Sequence, residues 1–304
     1  MIQGAAVVEI SHSPIRGAFW MLSAGVAFAG VNSLGQYLSF AMGMPSPAVA
    51  LFQYLFAIPF LFPWIKSQGL SRLWQTKQPW LHIIRVALAV LGVQFWLWSL
   101  SWPIPIWQAI ALLMLSPLFA TIGSGWFLGE QVGAARWGAT LLGFVGAMIV
   151  LEPWSEAFSV ATLLPVVAAV FWAGYSLMVK YQSRTEDSST IVLYLLVLIT
   201  PFNLMLAAPV FIWPDGKQWL FLGCAGLLTA IAQLAIVKAY ETADASYIQP
   251  FDHAKLPMNV LAGWLVFGWV PPGRLWLGAL IIIGATLFIA HREIRFSHRP
   301  LADA

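Results

Sequence analysis

Charge is scarce in this chain. Of its 304 residues 15 are Lys or Arg and 12 are Asp or Glu, 9% in all, where ordinary soluble domains carry roughly a quarter. A soluble fold of this size could not cover itself with so few charged side chains, so most of the surface must face lipid. Cysteine occurs once, as Cys224, which excludes an intrachain disulfide; inside an apolar segment it is expected to pack. The basic residues form no run dense enough to hold nucleic acid. No phosphate loop ending in Gly-Lys-Ser/Thr is present, which excludes an ATP-driven pump acting alone. Nor is there a His-Glu-x-x-His zinc helix or a Gly-x-Ser-x-Gly nucleophile turn. Histidine is rare too, at five, and no Cys or carboxylate cluster completes a metal site around His82 or His253. A lone deep Asp252 cannot supply the paired carboxylates of an intramembrane aspartic protease. An enzyme is therefore disfavoured, and no metal or organic cofactor is expected.

What the chain has instead is apolar length, with hydrophobic residues at 60%. Ten apolar segments can be marked, at about 17–39, 47–65, 81–101, 104–127, 136–152, 159–179, 190–212, 217–239, 246–269 and 273–291. About 20 residues rising 1.5 Å each cross ~30 Å of hydrocarbon, so 17–39 reads as a permanent first helix and not as a cleaved signal peptide. Pro45 and Pro47, Pro103 and Pro105, Pro214-Asp215-Gly216 and Pro271-Pro272-Gly273 punctuate the gaps. The connections leave no room for a soluble domain, which makes this an all-α integral membrane protein.

The sparse basic residues are placed asymmetrically. Arg16, Lys66, Arg72, Lys77, Arg85, Arg136, Lys180, Arg184, Lys238, Arg292, Arg295 and Arg299 fall on the side of the termini. Lys217 and Arg274 fall opposite, and Lys255 lies inside a segment. This bias predicts cytoplasmic tails at 1–16 and 292–304.

Two stretches 140 residues apart read as versions of one another. Leu115-Ser116-Pro117 leads through Gly125-Trp126 to Phe127-Leu128-Gly129-Glu130, and Lys255-Leu256-Pro257 leads through Gly263-Trp264 to Phe267-Gly268-Trp269. The chain thus divides into five-helix repeats at 17–152 and 159–291. Five is odd, so the second copy enters the membrane from the opposite side and the halves form an inverted pair. Inverted repeats supply two equivalent ways of opening, as alternating access requires, with the substrate site between them. A channel is disfavoured, since pores more often use rings of subunits.

Ten helices in two halves, with Pro117 and Pro257 in the fourth and ninth and exits through Phe127-Leu128-Gly129-Glu130 and Phe267-Gly268-Trp269, resemble the EamA-type drug/metabolite transporters. The resemblance spans roughly 17–291. It implies secondary transport of amino acids, nucleotide-related metabolites, vitamins such as riboflavin, or drugs. Where the family carries Glu after the Phe-Gly of the second half, this chain has Trp269.

The ninth segment holds the best candidates for substrate contact. Asp252, Lys255 and Asn259 stand at i, i+3, i+7, with Gln249 at the edge of the strip and His253 beside it. Charge this deep costs about 2.5–3.5 kcal/mol on insertion scales and is usually functional, although a structural ion pair is the alternative. Asp252 or His253 can take up a proton, so proton coupling, exchange and simple equilibration all stay open. Other helices offer matching faces: Asn32 and Gln36, Gln94 and Trp98, Trp172 and Tyr175, and Gln233. Such stripes either line a cavity or bond helices together. Glu130 and Arg136 are candidates for a gate or a loop tether. Gly125 and Gly129 have the spacing of close helix packing. A small organic metabolite and lipid are the expected partners, with protons where transport is coupled to them, no nucleic acid and no obligate protein; a non-transporting scaffold or intramembrane enzyme is the rival reading.

Overall fold

The computed structural model describes residues 14–69, 76, 78–127, 129, 133–156, 158–186, 188–242 and 251–297. Among them there is no strand. The helices are α1 Pro14–Gln36, α2 Ser46–Gln68, α3 Pro79–Leu100, α4 Ile106–Leu113, α5 Ser116–Phe127, α6 Ala134–Leu151, α7 Leu164–Gln182, α8 Ser188–Ala207, α9 Gly216–Thr242, α10 Lys255–Phe267 and α11 Gly273–Ser297. Eight stretches among the described residues are long and apolar enough to cross a membrane, with α4 and α5 together forming Ile106–Phe127. The apolar helices Lys255–Phe267 and Gly273–Ile289 are shorter. Prolines open several of these helices, where a missing N–H costs nothing: Pro47 in α2, Pro79 in α3 and Pro165 in α7.

The fourth and ninth segments are each broken, and their prolines explain where. A proline ring collides with the carbonyl four residues back and offers it no donor. Four residues before Pro117 is Leu113, the last residue of α4; four before Pro257 is His253, where a helical turn at Phe251–Asp252 gives way to a bend. Tighter three-residue bonds bridge both breaks, Leu115 N–H to Leu112 O at 3.1 Å and Leu256 N–H to His253 O at 3.2 Å. Gly268 caps α10 with a positive φ of 70°, and Gly129, beyond the end of α5, has a φ of 67°, a conformation glycine adopts at little cost. Nothing lies within 4 Å of where a Gly129 Cβ would stand, and it is Gly123 that lies tight against α7, at Leu177.

Helix partners recur between the halves. α1 packs on α9 as α7 packs on α3, α2 on α9 as α8 on α3, and α10 on α1 as α5 on α7. α6 and α11 pack on one another. They run antiparallel, since Glu152 meets Arg274 and Gly143 meets Ala285. Their axes cross where Gly146 and Gly278 face each other backbone to backbone. The main buried cluster gathers Leu97, Leu100, Ile106, Leu112, Leu115 and Leu118 with Leu256 and Ile282, so the α4–α5 break is embedded in apolar side chains.

Candidate functional site

The strip on the ninth segment splits in two. Asp252 and Lys255 form an ion pair one turn apart and remain partly exposed, their side chains at 40% and 27%. Lys255 Nζ also lies 5.3 Å from the Phe28 ring centroid on α1, a cation–π contact. Asn259, in contrast, is fully buried. Its Nδ2 donates to the Lys255 carbonyl at 2.7 Å, and its Oδ1 accepts from Asn32 Nδ2 at 3.0 Å. Asn32 Oδ1 accepts in turn from Trp96 Nε1 at 3.1 Å. One chain of bonds thus ties α3, α1 and α10 together. Gln36 donates to the Ile104 carbonyl at 2.7 Å while its Oε1 stays buried and unpaired. His253 is half-buried with Nε2 unpaired.

A second face lies between α3 and α7, which run antiparallel with aromatic side chains in register. Phe95 stacks on Phe171 at 5.4 Å between centroids and 13° between planes. Gly92 gives room to Trp172, whose Nε1 would stand 3.1 Å from any Cβ there. Trp172 meets Tyr175 edge to face at 5.5 Å, and the Tyr175 ring lies 5.6 Å from the Arg85 guanidinium carbon. Trp98 is half-exposed and leans on Phe95 at 5.9 Å. Gln94 does not stand alone: its Nε2 donates to Asn203 Oδ1 on α8 at 2.7 Å, a residue that the sequence reading missed. Gln233 on α9 is half-buried.

Arg136 is half-buried near the start of α6. Its expected counterpart Glu130, like Gln249, lies outside the described residues. Cys224 sits on an exposed face of α9, so the packing expected of it is corrected: no protein side chain encloses it.

The largest correction concerns Arg85. Its place near a segment end put it among the solvated basic residues, yet it is fully buried in α3 beside fully buried His82. Nη2 donates to the Ile191 carbonyl at 2.7 Å and lies 3.2 Å from His82 Nδ1. The His82 ring stacks on Tyr194 at 4.0 Å, and its Nε2 lies 4.0 Å from Glu186 Oε1. Glu186 also accepts from the Thr76 hydroxyl at 2.6 Å. Two basic groups one turn apart inside an apolar run were the available signal.

Where α3 and α6 end and α4 and α11 begin, a cavity of about 310 Å³ is lined by Trp102, Trp107, Gln108, Glu152, Phe158 and Arg274 among others. Glu152 Oε2 and Arg274 Nη2 pair at 2.8 Å across it, and Gln108 donates to the Val150 carbonyl at 3.1 Å. Two broken helices, buried polar bonds at their depth and an aromatic seam form the arrangement that membrane carriers use to hold solutes.

Known proteins agree with this architecture. The EamA-like transporter family matches the chain twice, over residues 15–152 and 159–291. A riboflavin transporter of Vibrio cholerae is 60% identical over 96% of this chain and 98% of its own length. A riboflavin transporter of Rhizobium johnstonii is 49% identical over 99% of each. A solved crystal structure, 18% identical, matches with a TM-score of 0.58 over 89% of this chain and 98% of that one, a likeness of fold. Family match, near full-length relatives and the helix pattern lead to one statement: this chain belongs to the EamA-like transporter family and is a membrane transporter of small organic metabolites.

Proposed function

We propose that the chain carries riboflavin across the membrane by alternating access. The observation that carries this reading is 60% identity, over nearly the whole chain, to a protein named a riboflavin transporter. The site chemistry supports it. Riboflavin is a flat, uncharged heteroaromatic ring on a polyhydroxylated tail, and such a solute wants π-faces at one end and polar groups at the other. The Trp172–Tyr175 pair offers the first. Asp252 and Lys255, accessible and charged, offer hydrogen bonds to the hydroxyls.

The reading includes ten crossings, with the halves 17–152 and 159–291 inverted and the termini cytoplasmic. The exchange of helix partners between halves supports inversion, as does the antiparallel crossing of α6 and α11 at Gly146 and Gly278. With Arg85 buried, eleven basic residues in place of twelve remain on the terminal side, and the bias keeps its sign. Asn32, Gln36 and Asn259 then serve as the framework of the cavity, and Asp252, Lys255, Trp98, Trp172, Tyr175 and Gln233 as its lining. Glu130 and Arg136 are retained as a gate pair.

Reconstitution in liposomes tests the proposal. Preloaded riboflavin should drive counterflow of labelled riboflavin, while aromatic amino acids, S-adenosylmethionine and nucleosides should not compete. Counterflow of another member of the panel in place of riboflavin would reject the substrate, and silence in folded protein would favour a scaffold. For orientation, Ala304→Cys in a Cys224→Ser background should resist an impermeant maleimide in intact cells; labelling from outside would reverse the topology.

A further inference from the structure

Arg85 presents an unpaid electrostatic debt. It has no exposed surface, it lies within a membrane-spanning helix, and no ion pair to a carboxylate is formed by it among the described residues. Nη2 is bonded, but Nε and Nη1 are both buried without an acceptor. Burying a guanidinium with unpaired N–H groups is among the costlier arrangements a protein can keep. A residue serving only to join α3 to α8 would need nothing beyond the Ile191 bond.

The surroundings indicate what is missing. Tyr175 lies against the guanidinium, and Trp172 stands edge-on to Tyr175. His82, stacked on Tyr194, stands at the bonded Nη2. Glu186, the nearby carboxylate, is engaged by Thr76 and faces His82. Free donors framed by π-faces fit a flat ring with acceptors on its rim. We infer that Arg85 is a substrate-binding residue whose unpaired Nε–H or Nη1–H donor takes an acceptor on the rim of the cargo's ring. This rests on the riboflavin reading. The isoalloxazine ring has four acceptors at its polar end, N1 and the oxygens on C2 and C4 of the pyrimidinedione and N5 of the neighbouring central ring. Its neutrality suits a site with no second free cation among the described residues around Arg85. Tyr175 covers the guanidinium here, and the cargo ring takes that place as α3 and α7 part. The bound ring then pairs a donor that the empty protein leaves unpaired, so cargo stabilises the occluded carrier selectively.

The test is competition against radiolabelled riboflavin on purified full-length protein, wild type and Arg85→Met. The competitors are the 1-deaza, 5-deaza, 2-thio and 4-thio analogues, each weakening one acceptor. At wild type at least one analogue should compete about tenfold or more weakly than riboflavin, the range of a lost bond to a charged donor. At Arg85→Met that analogue should draw level with riboflavin. If Arg85→Met fails to fold, Arg85→Lys, which keeps the charge with a different donor geometry, carries the same comparison. An unchanged ranking of all four analogues overturns the assignment while leaving riboflavin transport standing. Tighter binding of riboflavin 5′-phosphate than of riboflavin, lost in the variant, overturns it in favour of a phosphate site. Absence of riboflavin binding at wild type removes the proposed substrate itself, a distinct result.

Discussion

Substituting Gly146 by alanine should loosen the contact between α6 and α11, and by a calculable amount. A methyl on Gly146 would stand 2.7 Å from the Gly278 carbonyl oxygen and 3.0 Å from Ile281 Cβ. A methyl on Gly278 would stand 2.7 Å from the Gly146 carbonyl oxygen and 2.7 Å from Val150 Cγ2. Carbon and carbonyl oxygen ordinarily rest about 3.3–3.6 Å apart, so the axes must separate by about 0.6–0.9 Å. The obstacle is backbone, which no rotamer change can clear. Overpacking of this kind costs about 1–3 kcal/mol. Alanine also gains about 0.5–1 kcal/mol over glycine inside a helix. Gly138 and Gly284 lie on the same two helices with nothing within 4 Å of a new Cβ, so their alanine variants isolate that gain. The difference between Gly146→Ala and Gly138→Ala should therefore be the overpacking cost alone. The same holds for Gly278→Ala against Gly284→Ala. In the double variant Gly146→Ala/Gly278→Ala the separation that admits one methyl admits much of the other, so the loss should fall short of the sum. Equilibrium unfolding in mixed micelles provides the measurement. Equal stability of Gly146→Ala and Gly138→Ala, or full additivity in the double variant, would refute the backbone contact.

Three further outcomes are expected. Asn259→Ala orphans Asn32 Nδ2 in a dry contact and should cost about 0.6–1.7 kcal/mol, the range for interhelical bonds in membranes; Asn32→Ala/Asn259→Ala should recover part of the loss, and a fully additive cycle in the same unfolding assay would disprove the pairing. Glu152→Gln removes a pair in which Arg274 is more than half exposed, so stability should fall by less than about 1 kcal/mol, and a larger loss that persists in high salt would contradict surface screening. Asp252→Asn and Lys255→Met should each depress riboflavin counterflow without a matching loss of folded protein; undiminished counterflow would make the pair purely structural.

The apolar segments were legible because lipid imposes one composition on every crossing; among the described residues eight stretches are long and apolar enough to cross, and Lys255–Phe267 and Gly273–Ile289 are shorter apolar helices. Pro117 and Pro257 also made the helix breaks readable in principle, each four residues past the carbonyl that its ring obstructs. Depth and neighbours were not readable. Helical spacing put Asp252, Lys255 and Asn259 on one face; α1 meets it at both Lys255 and Asn259, but Asn32 locks Asn259 in a buried bond while the ion pair stays partly exposed. Arg85 was misplaced because a basic residue near a segment end usually solvates. Its burial depends on α7 and α8, which close over it from about ninety residues further along the chain. Gln94 looked like a free polar group because its partner Asn203 lies on α8, 109 residues away along the chain.

The two helix breaks are alike in backbone and unlike in chemistry. Around the first stand Leu112, Leu113, Leu115 and Phe119; around the second stand Asp252, His253, Lys255 and Asn259. Were the inverted halves identical, turning the carrier over would return the same molecule, and its inward- and outward-facing states would be degenerate by symmetry. Charges placed on one half lift that degeneracy, so the alternating-access carrier proposed here is expected to have a preferred resting side, set by the drift of one half's sequence away from the other.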